Sequence, residues 1–210
     1  MSKKNYVQIG AGAGDLDPRG LYRDGFTELV KRLDRSTIGK IILVEPNPHN
    51  IPKLQLCWKD YPQARIINKG ICVNSDSQRK ITFYYIDDDA PHYQVFSMIP
   101  EHVRKHYPGS SSELKTVDVE CVTLQELIEC ELGSNADIEL LGLDIEGIDG
   151  EVMLDTDWTR FTCNTLSYEH LHISPDILKR IEIVLNSVGM YDVGNGIDVN
   201  GYDTMFRRKV

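Results

Sequence analysis

The sequence predicts an α/β fold: a mostly parallel sheet covered by helices on both faces, with one antiparallel edge strand and an extra hairpin and loop insertion. Three observations carry this expectation. Short β-branched runs alternate with helical patterns along the 210 residues, and such alternation builds parallel sheets from βαβ units. The first run, Tyr6-Val-Gln-Ile9, breaks into glycines at 10, 12 and 14, where a backbone without Cβ atoms can turn sharply and approach a ligand. The last segments, 191–193 and 202–207, read as a closing pair.

In chain order, Tyr6–Ile9, Lys40–Val44 and Arg65–Asn68 are short strands of the buried parallel kind. Helical patterns lie between them at Phe26–Leu33 and at Asn50–Trp58, the latter with Ile51, Leu54 and Trp58 as its apolar positions. Lys80–Ile86 is expected as a hairpin strand, introduced by the turn-rich residues 74–78. Residues 87–116 read as an irregular insertion, with Asp87-Asp-Asp-Ala-Pro91 and Gly109-Ser-Ser-Ser112. A connection of that length suits a substrate lid or binding loop. Val117–Val122 alternates like a strand. Thr123 then caps a helix, with Glu126 three residues on completing a capping box. Ile138–Asp144 and Asn164–His170 are the next strands. Pro175–Ser187 is an amphipathic helix with Ile177, Leu178, Ile181, Val184 and Leu185 on its apolar side. Residues 1–210 are expected to form a single domain.

Composition narrows the function. Apolar content of 41% and charged content of 26% fit a globular protein, and a formal net charge of −9 opposes sequence-independent nucleic-acid binding. Five scattered cysteines without Cys-x-x-Cys spacing argue against a zinc or disulfide framework. No apolar stretch follows Met1-Ser-Lys-Lys and no run approaches membrane-spanning length. A cytoplasmic protein without membrane or nucleic-acid partners is expected.

In open α/β sheets, ligands bind beyond the carboxyl ends of the strands, where strand order reverses. Gly10–Asp15, Glu45, Asp144 and Glu169-His170 all fall at such ends. The glycine bend and the carboxylate of Glu45 read as two halves of an adenosine-type cofactor site, the acid accepting hydrogen bonds from ribose hydroxyls. Spacing selects the cofactor. The dinucleotide pattern Gly-x-Gly-x-x-Gly needs its third glycine one residue later than Gly14, at the position of Asp15. A carboxylate there repels a pyrophosphate but not the sulfonium and ammonium of S-adenosylmethionine. An NAD-dependent oxidoreductase and a non-catalytic binding module remain the rival readings.

A second constellation, Leu143-Asp-Ile-Glu-Gly-Ile-Asp-Gly-Glu151, places acids at 144, 146, 149 and 151. Asp149 and Glu151 suit the first turn of a helix. Asp144, Glu146, Glu169 and His170 are the candidate catalytic residues, because a hydroxyl nucleophile needs a proton acceptor. The same four groups could equally hold a divalent cation such as magnesium, so no metal ligand set is assigned.

Several of these stretches resemble the FkbM-type methyltransferases, class I enzymes that use S-adenosylmethionine. The resemblance is carried by Val7-Gln-Ile-Gly-Ala-Gly-Ala-Gly14, Leu43-Val-Glu-Pro-Asn-Pro48, Ile66-Ile-Asn-Lys-Gly-Ile71 and above all Leu143-Asp-Ile-Glu-Gly-Ile-Asp149. The segment 165–174 and the ending Gly201-Tyr-Asp-Thr-Met-Phe206 continue it. It implies a Rossmann-like, seven-stranded sheet. It also implies that Gly10, Ala11, Gly12, Gly14 and Asp15 surround the methionine part of the cofactor, with Glu45 and Pro46 at the ribose. Gly70 and Ile71 would lie near the adenine, and Asp144 would face the reactive end. Family members often methylate hydroxyls of sugars or natural-product scaffolds, so the implied partner is a glycan or small-molecule hydroxyl. Gln8 stands where many relatives carry an acid, which implies a weaker contact to the cofactor's ammonium.

Overall fold

A computed structural model describes residues 3–15, 24–74, 79–86, 95–198 and 201–209. The main sheet contains β1 (Lys4–Ile9), β2 (Ile38–Val44), β3 (Ala64–Ile67), β7 (Asp137–Leu143), β8 (Thr162–Cys163), β9 (Thr165–Glu169), β10 (Met190–Asn195) and β11 (Asp203–Arg208). Its order is β10-β11-β9-β7-β1-β2-β3, with the two-residue β8 paired to β7 off this path. A smaller sheet joins β4 (Gly70–Ile71), β6 (Leu114–Val122) and β5 (Lys80–Ile86) in the order β4-β6-β5. The helices are α1 (Gly25–Lys31), α2 (Ile51–Cys57), α3 (Pro100–Lys105), α4 (Leu124–Leu132), α5 (Asp149–Asp155) and α6 (Pro175–Ser187). The fold is Rossmann-like, as expected.

The central strands sort their side chains by the two-residue period of a pleated backbone. In β2, Ile41 and Leu43 pack with Phe26 and Val30 of α1 and with Leu54 of α2. Ile42 and Val44 point the other way, into the cluster with Leu127 and Ile128 of α4, Val152 and Met153 of α5, and Ile181 and Leu185 of α6. Both faces of β2 are therefore covered, which is why it reads as a nearly continuous apolar run.

Register sets the height of the site. Ile9 of β1 pairs with Val44 of β2 on one side and with Leu143 of β7 on the other. The next residues, Gly10, Glu45 and Asp144, thus leave the sheet at one level. Strand order reverses between β1 and β7, so the three emerge at the switch point.

Three expectations need correction. The antiparallel strand is not at the edge: β11 lies between β9 and β10, antiparallel to both, and β10 closes the sheet. Placed between them, β11 has a strand partner on both sides, where an edge strand has one. Second, the main sheet has eight strands among the described residues where seven were expected, because the two-residue β8 pairs beside β7; Lys80–Ile86 is a hairpin strand as expected, with β6 as its antiparallel partner. Third, residues 87–116 are not irregular throughout. They contain α3 and the start of β6, and a bridge joins Ser97 to Tyr84. Pro100 fixes the start of α3 at a position where its missing N–H costs nothing. Residues 87–94, with Tyr93 among them, lie outside the described residues, as do 75–78 of the expected turn. Among the described residues no helix is long and apolar enough to cross a membrane.

Candidate active site

A cavity of about 410 Å³ opens above the ends of β1, β2 and β7. Gly10 and Gly12 shape its floor. Gly10 has φ +75°, and a Cβ there would overlap the carbonyl oxygen of Asp144. Only glycine lets β1 turn this close to the end of β7. Gly10 and Ala11 both donate their N–H to the Val44 carbonyl, at 2.9 and 3.0 Å, which holds the bend over the neighbouring strand.

Glu45 is buried beneath this bend. One carboxylate oxygen accepts the Gly12 N–H at 2.7 Å, and the other accepts the Asn47 N–H at 2.9 Å and the Asn50 amide at 3.3 Å. Burial pushes its carboxyl up to about 7, even though these donors pull the other way. Asn68 donates to the Glu45 and Pro46 carbonyls at 2.8 and 3.0 Å and so fixes the cavity wall there.

Asp144 is exposed to the cavity. The desolvating cleft walls, then Glu146, Asp149, Glu169 and Asp203, raise its carboxyl well above the usual range. The loop after it is held by Asp149, which accepts the N–H groups of Ile145 at 2.9 Å and Gly147 at 3.4 Å. Asp149 therefore braces the acidic loop, as its expected place in a helix first turn allows, and burial lifts it to about 7. Glu146 adopts φ +56°, unusual for a residue with a side chain. Its carbonyl accepts the Ser97 hydroxyl at 2.7 Å and its carboxylate meets His102 Nε2 at 3.0 Å.

The cavity wall separates by chemistry. Ile71, Phe83 and Phe96 are apolar, and the two phenylalanine rings stack at 5.0 Å. Asp24, Glu45, Asp144, Glu146, Asp198 and Asp203 line it too, against one lysine, Lys69, among the described residues. Asp24 caps α1 and accepts the Gln8 amide at 2.9 Å. That bond leaves Gln8 Oε1 buried without a hydrogen-bond partner among the described residues. Asp198 accepts the Gly25 N–H at 2.6 Å, and burial lifts its carboxyl to about 6.

The structure brings together Gly10, Ala11, Gly12, Gly14, Glu45, Pro46, Ile71, Asp144 and Glu146 on this cavity. Other sequence candidates stand elsewhere. Asp15 faces away from the cavity; its carboxylate takes Lys31 Nζ and the Cys57 thiol, each at 2.9 Å. Burial works to raise this acid, but the thiol and the ammonium hold it below the usual value. Gly70 lies behind the wall, where a Cβ would strike Phe83 and Cys121. Glu169 and His170 do not line the cavity. Glu169 is raised to about 8 by burial and by the Asp149 and Glu146 charges, while His170 donates its N–H to the Tyr202 carbonyl at 2.8 Å. Nor do Asp144, Glu146, Glu169 and His170 group closely enough to hold a cation; the one such group among the described residues is His102, His106 and His172. Of the aromatics in the insertion, Phe96 lines the cavity and Tyr107 packs into a core with Ile86, Val95 and Val103.

Sequence reasoning missed Asp24, Asp198, Asp203 and Lys69. Asp24 carried a signal, since an acid before Gly25-Phe26 is a helix cap. The other three reach the wall only through tertiary packing.

The family model that matches this chain sets the sheet and its cleft in a class, the S-adenosylmethionine-dependent methyltransferases. Within that class the chain belongs to the methyltransferase FkbM domain family, which it matches over residues 8–189. Comparison with curated proteins gives no match. Among solved structures it is similar to the fibrillarin pre-rRNA processing protein of Methanococcus jannaschii, with 11% identity, TM-score 0.47, and coverage of 100% of this chain and 69% of that one. An rRNA methylase from Streptococcus thermophilus is similar at 9% identity and TM-score 0.46, covering 100% and 89%. Aeropyrum pernix fibrillarin, in complex with natively bound S-adenosyl-L-methionine, gives 11% identity and TM-score 0.42, covering 98% and 66%. At these scores the likenesses bear on neither substrate nor site.

The residues present fit the methyl donor. Its ammonium needs acceptors, and Gln8 Oε1 is a buried acceptor without a donor among the described residues. Its sulfonium is a cation, and the wall is rich in carboxyls. Its adenine is flat and apolar, and Ile71 and Phe83 offer a matching surface.

Proposed function

We propose that the enzyme transfers a methyl group from S-adenosylmethionine to a hydroxyl of a sugar, glycan or small metabolite. Gly10, Ala11, Gly12 and Gly14 cradle the methionine part, Glu45 accepts the ribose hydroxyls, and Pro46 and Ile71 flank the nucleoside. The donor, when bound, supplies an electrophilic methyl group. Asp144 takes the proton of the acceptor hydroxyl as the new carbon–oxygen bond forms and the carbon–sulfur bond breaks. The observation that carries this reading is the place of Asp144, exposed in the cavity at the level of the Gly10 bend and Glu45, with acidic neighbours that raise its proton affinity. A base with that affinity contributes typically ~10²–10⁴-fold, and holding the reactants together contributes the larger share. Phe96 and the chain around it cover the acceptor. The acidic wall and the net charge of −9 disfavour a nucleic-acid acceptor.

The test is mass spectrometry of candidate hydroxyl acceptors after incubation with isotopically labelled donor. A panel of sugars, glycans and small metabolites should contain a labelled product, and a structured RNA should not. Asp144→Asn should still bind the donor, measured by calorimetry, and should lose turnover by ~10²–10⁴-fold. Full activity in that variant would remove Asp144 from the reaction.

A further inference from the structure

Beside the cavity, three histidines converge from two separate elements. His102 and His106 stand four residues apart, one inside α3 and one at its C-cap, so both rings fall on one helical face. His172 comes from the turn after β9. One ligand nitrogen from each can be chosen so that all lie within 4.8 Å of one another. The ring centroids are 4.9 Å apart for His102 with His106 and with His172, and 5.9 Å for His106 with His172. Two histidines at this helical spacing are a recurring chelate for zinc, and imidazole suits zinc, copper, iron and nickel.

Two further observations point to a ligand. His106 Nε2 is buried without a hydrogen-bond partner among the described residues. The Glu146 carboxylate lies 3.0 Å from His102 Nε2, beside the three histidines rather than within their mutual spacing. Lys105 Nζ lies 3.1 Å from His172 Nδ1, an ammonium that a bound metal would displace.

We propose that His102, His106 and His172, closed by Glu146, form a site for a divalent transition metal of the zinc class. Zinc–nitrogen bonds of ~2.0–2.1 Å in a tetrahedron bring ligand nitrogens to ~3.4 Å, a contraction that ring rotation can supply. Four protein ligands make a closed, structural site. The ion would bolt α3 and the turn after β9 to the loop carrying Glu146, which also lines the cavity. It would thereby hold the left-handed backbone at Glu146, where Ser97 already grips the carbonyl. This site shares only Glu146 with the set Asp144, Glu146, Glu169 and His170, and it does not depend on methyl transfer.

The experiment uses the full chain, stripped of metal by chelator and titrated with Co²⁺ under absorption spectroscopy, then with Zn²⁺ by calorimetry. One cobalt per chain should bind with visible d–d bands and without a thiolate charge-transfer band, which separates the site from the five cysteines. His172 lies in an exposed turn, so His172→Ala should fold, as circular dichroism will verify; His106→Ala is the second probe. Each should weaken binding by more than the ~10–100-fold that loss of an outer-sphere partner costs. Lys105→Ala should tighten it by removing a competing ammonium. The proposal falls if cobalt gives no such bands, if a thiolate band dominates, if both histidine variants bind as wild type does, or if Lys105→Ala binds more weakly.

Discussion

Glu45 shows how much one side chain carries. Its two oxygens satisfy Gly12, Asn47 and Asn50 before any ligand arrives. Glu45→Ala would strand three buried donors at ~1–3 kcal/mol each. We expect a lower melting temperature and a loss of donor affinity greater than ~10-fold, about 1.4 kcal/mol, measured by calorimetry. Asp15 is the contrasting residue. It was legible as an acid beside the glycine bend, but one residue decides which way a carboxylate turns at such a corner. Here Lys31 and Cys57 hold it outward. Asp15→Asn should therefore leave donor affinity unchanged and cost no more than the ~0.2–1 kcal/mol of an exposed ion pair, read by urea denaturation. Glu45 and Asp144 could be read from sequence because each ends an apolar strand. His170 ended a strand too, but β11 pairs alongside Glu169 there and leaves the histidine off the cavity.

Among the elements, α4 was the plainest in sequence, because its cap is chemical rather than positional. Thr123 accepts the Glu126 N–H at 3.2 Å and Glu126 accepts the Thr123 N–H at 2.9 Å. Thr123→Ala should cost ~0.5–2 kcal/mol of stability and leave donor binding intact, since α4 touches the sheet away from the cavity. Helix α3 was hidden for the opposite reason. It has six residues, too few for a helical period to show, and buries only His102 and Val103. β11 was recognised as a strand, yet its place between β9 and β10 is a matter of partners, which no run of residues announces. The two-residue β4 and β8 escape notice because pairing alone defines them.

Across the whole molecule the acids act as a set, and pH reads them together. Burial raises Glu45 from 4.5 to about 7, Asp149 from 3.8 to about 7 and Glu169 from 4.5 to about 8. A carboxyl raised on folding binds its proton more tightly in the native state, so it stabilises fully below its unfolded value near 4. That contribution disappears as pH climbs through 7 and 8. The ligand-free enzyme should therefore melt at progressively lower temperature from pH 5 to pH 8, measured by scanning fluorimetry. Saturating S-adenosylmethionine should flatten the slope, because its positive charge compensates the ionised acids. Glu45→Gln should flatten it in part, by deleting one of the titrating groups. The levelled ends of β1, β2 and β7 have one more outcome. Gly10, Glu45 and Asp144 share a rung of the same ladder, so sliding any of those three strands by a single step would tear the clasp and the centre of the protein at once. Amide protons along this trio should exchange with solvent as one unit, slowing in concert when the donor occupies its seat.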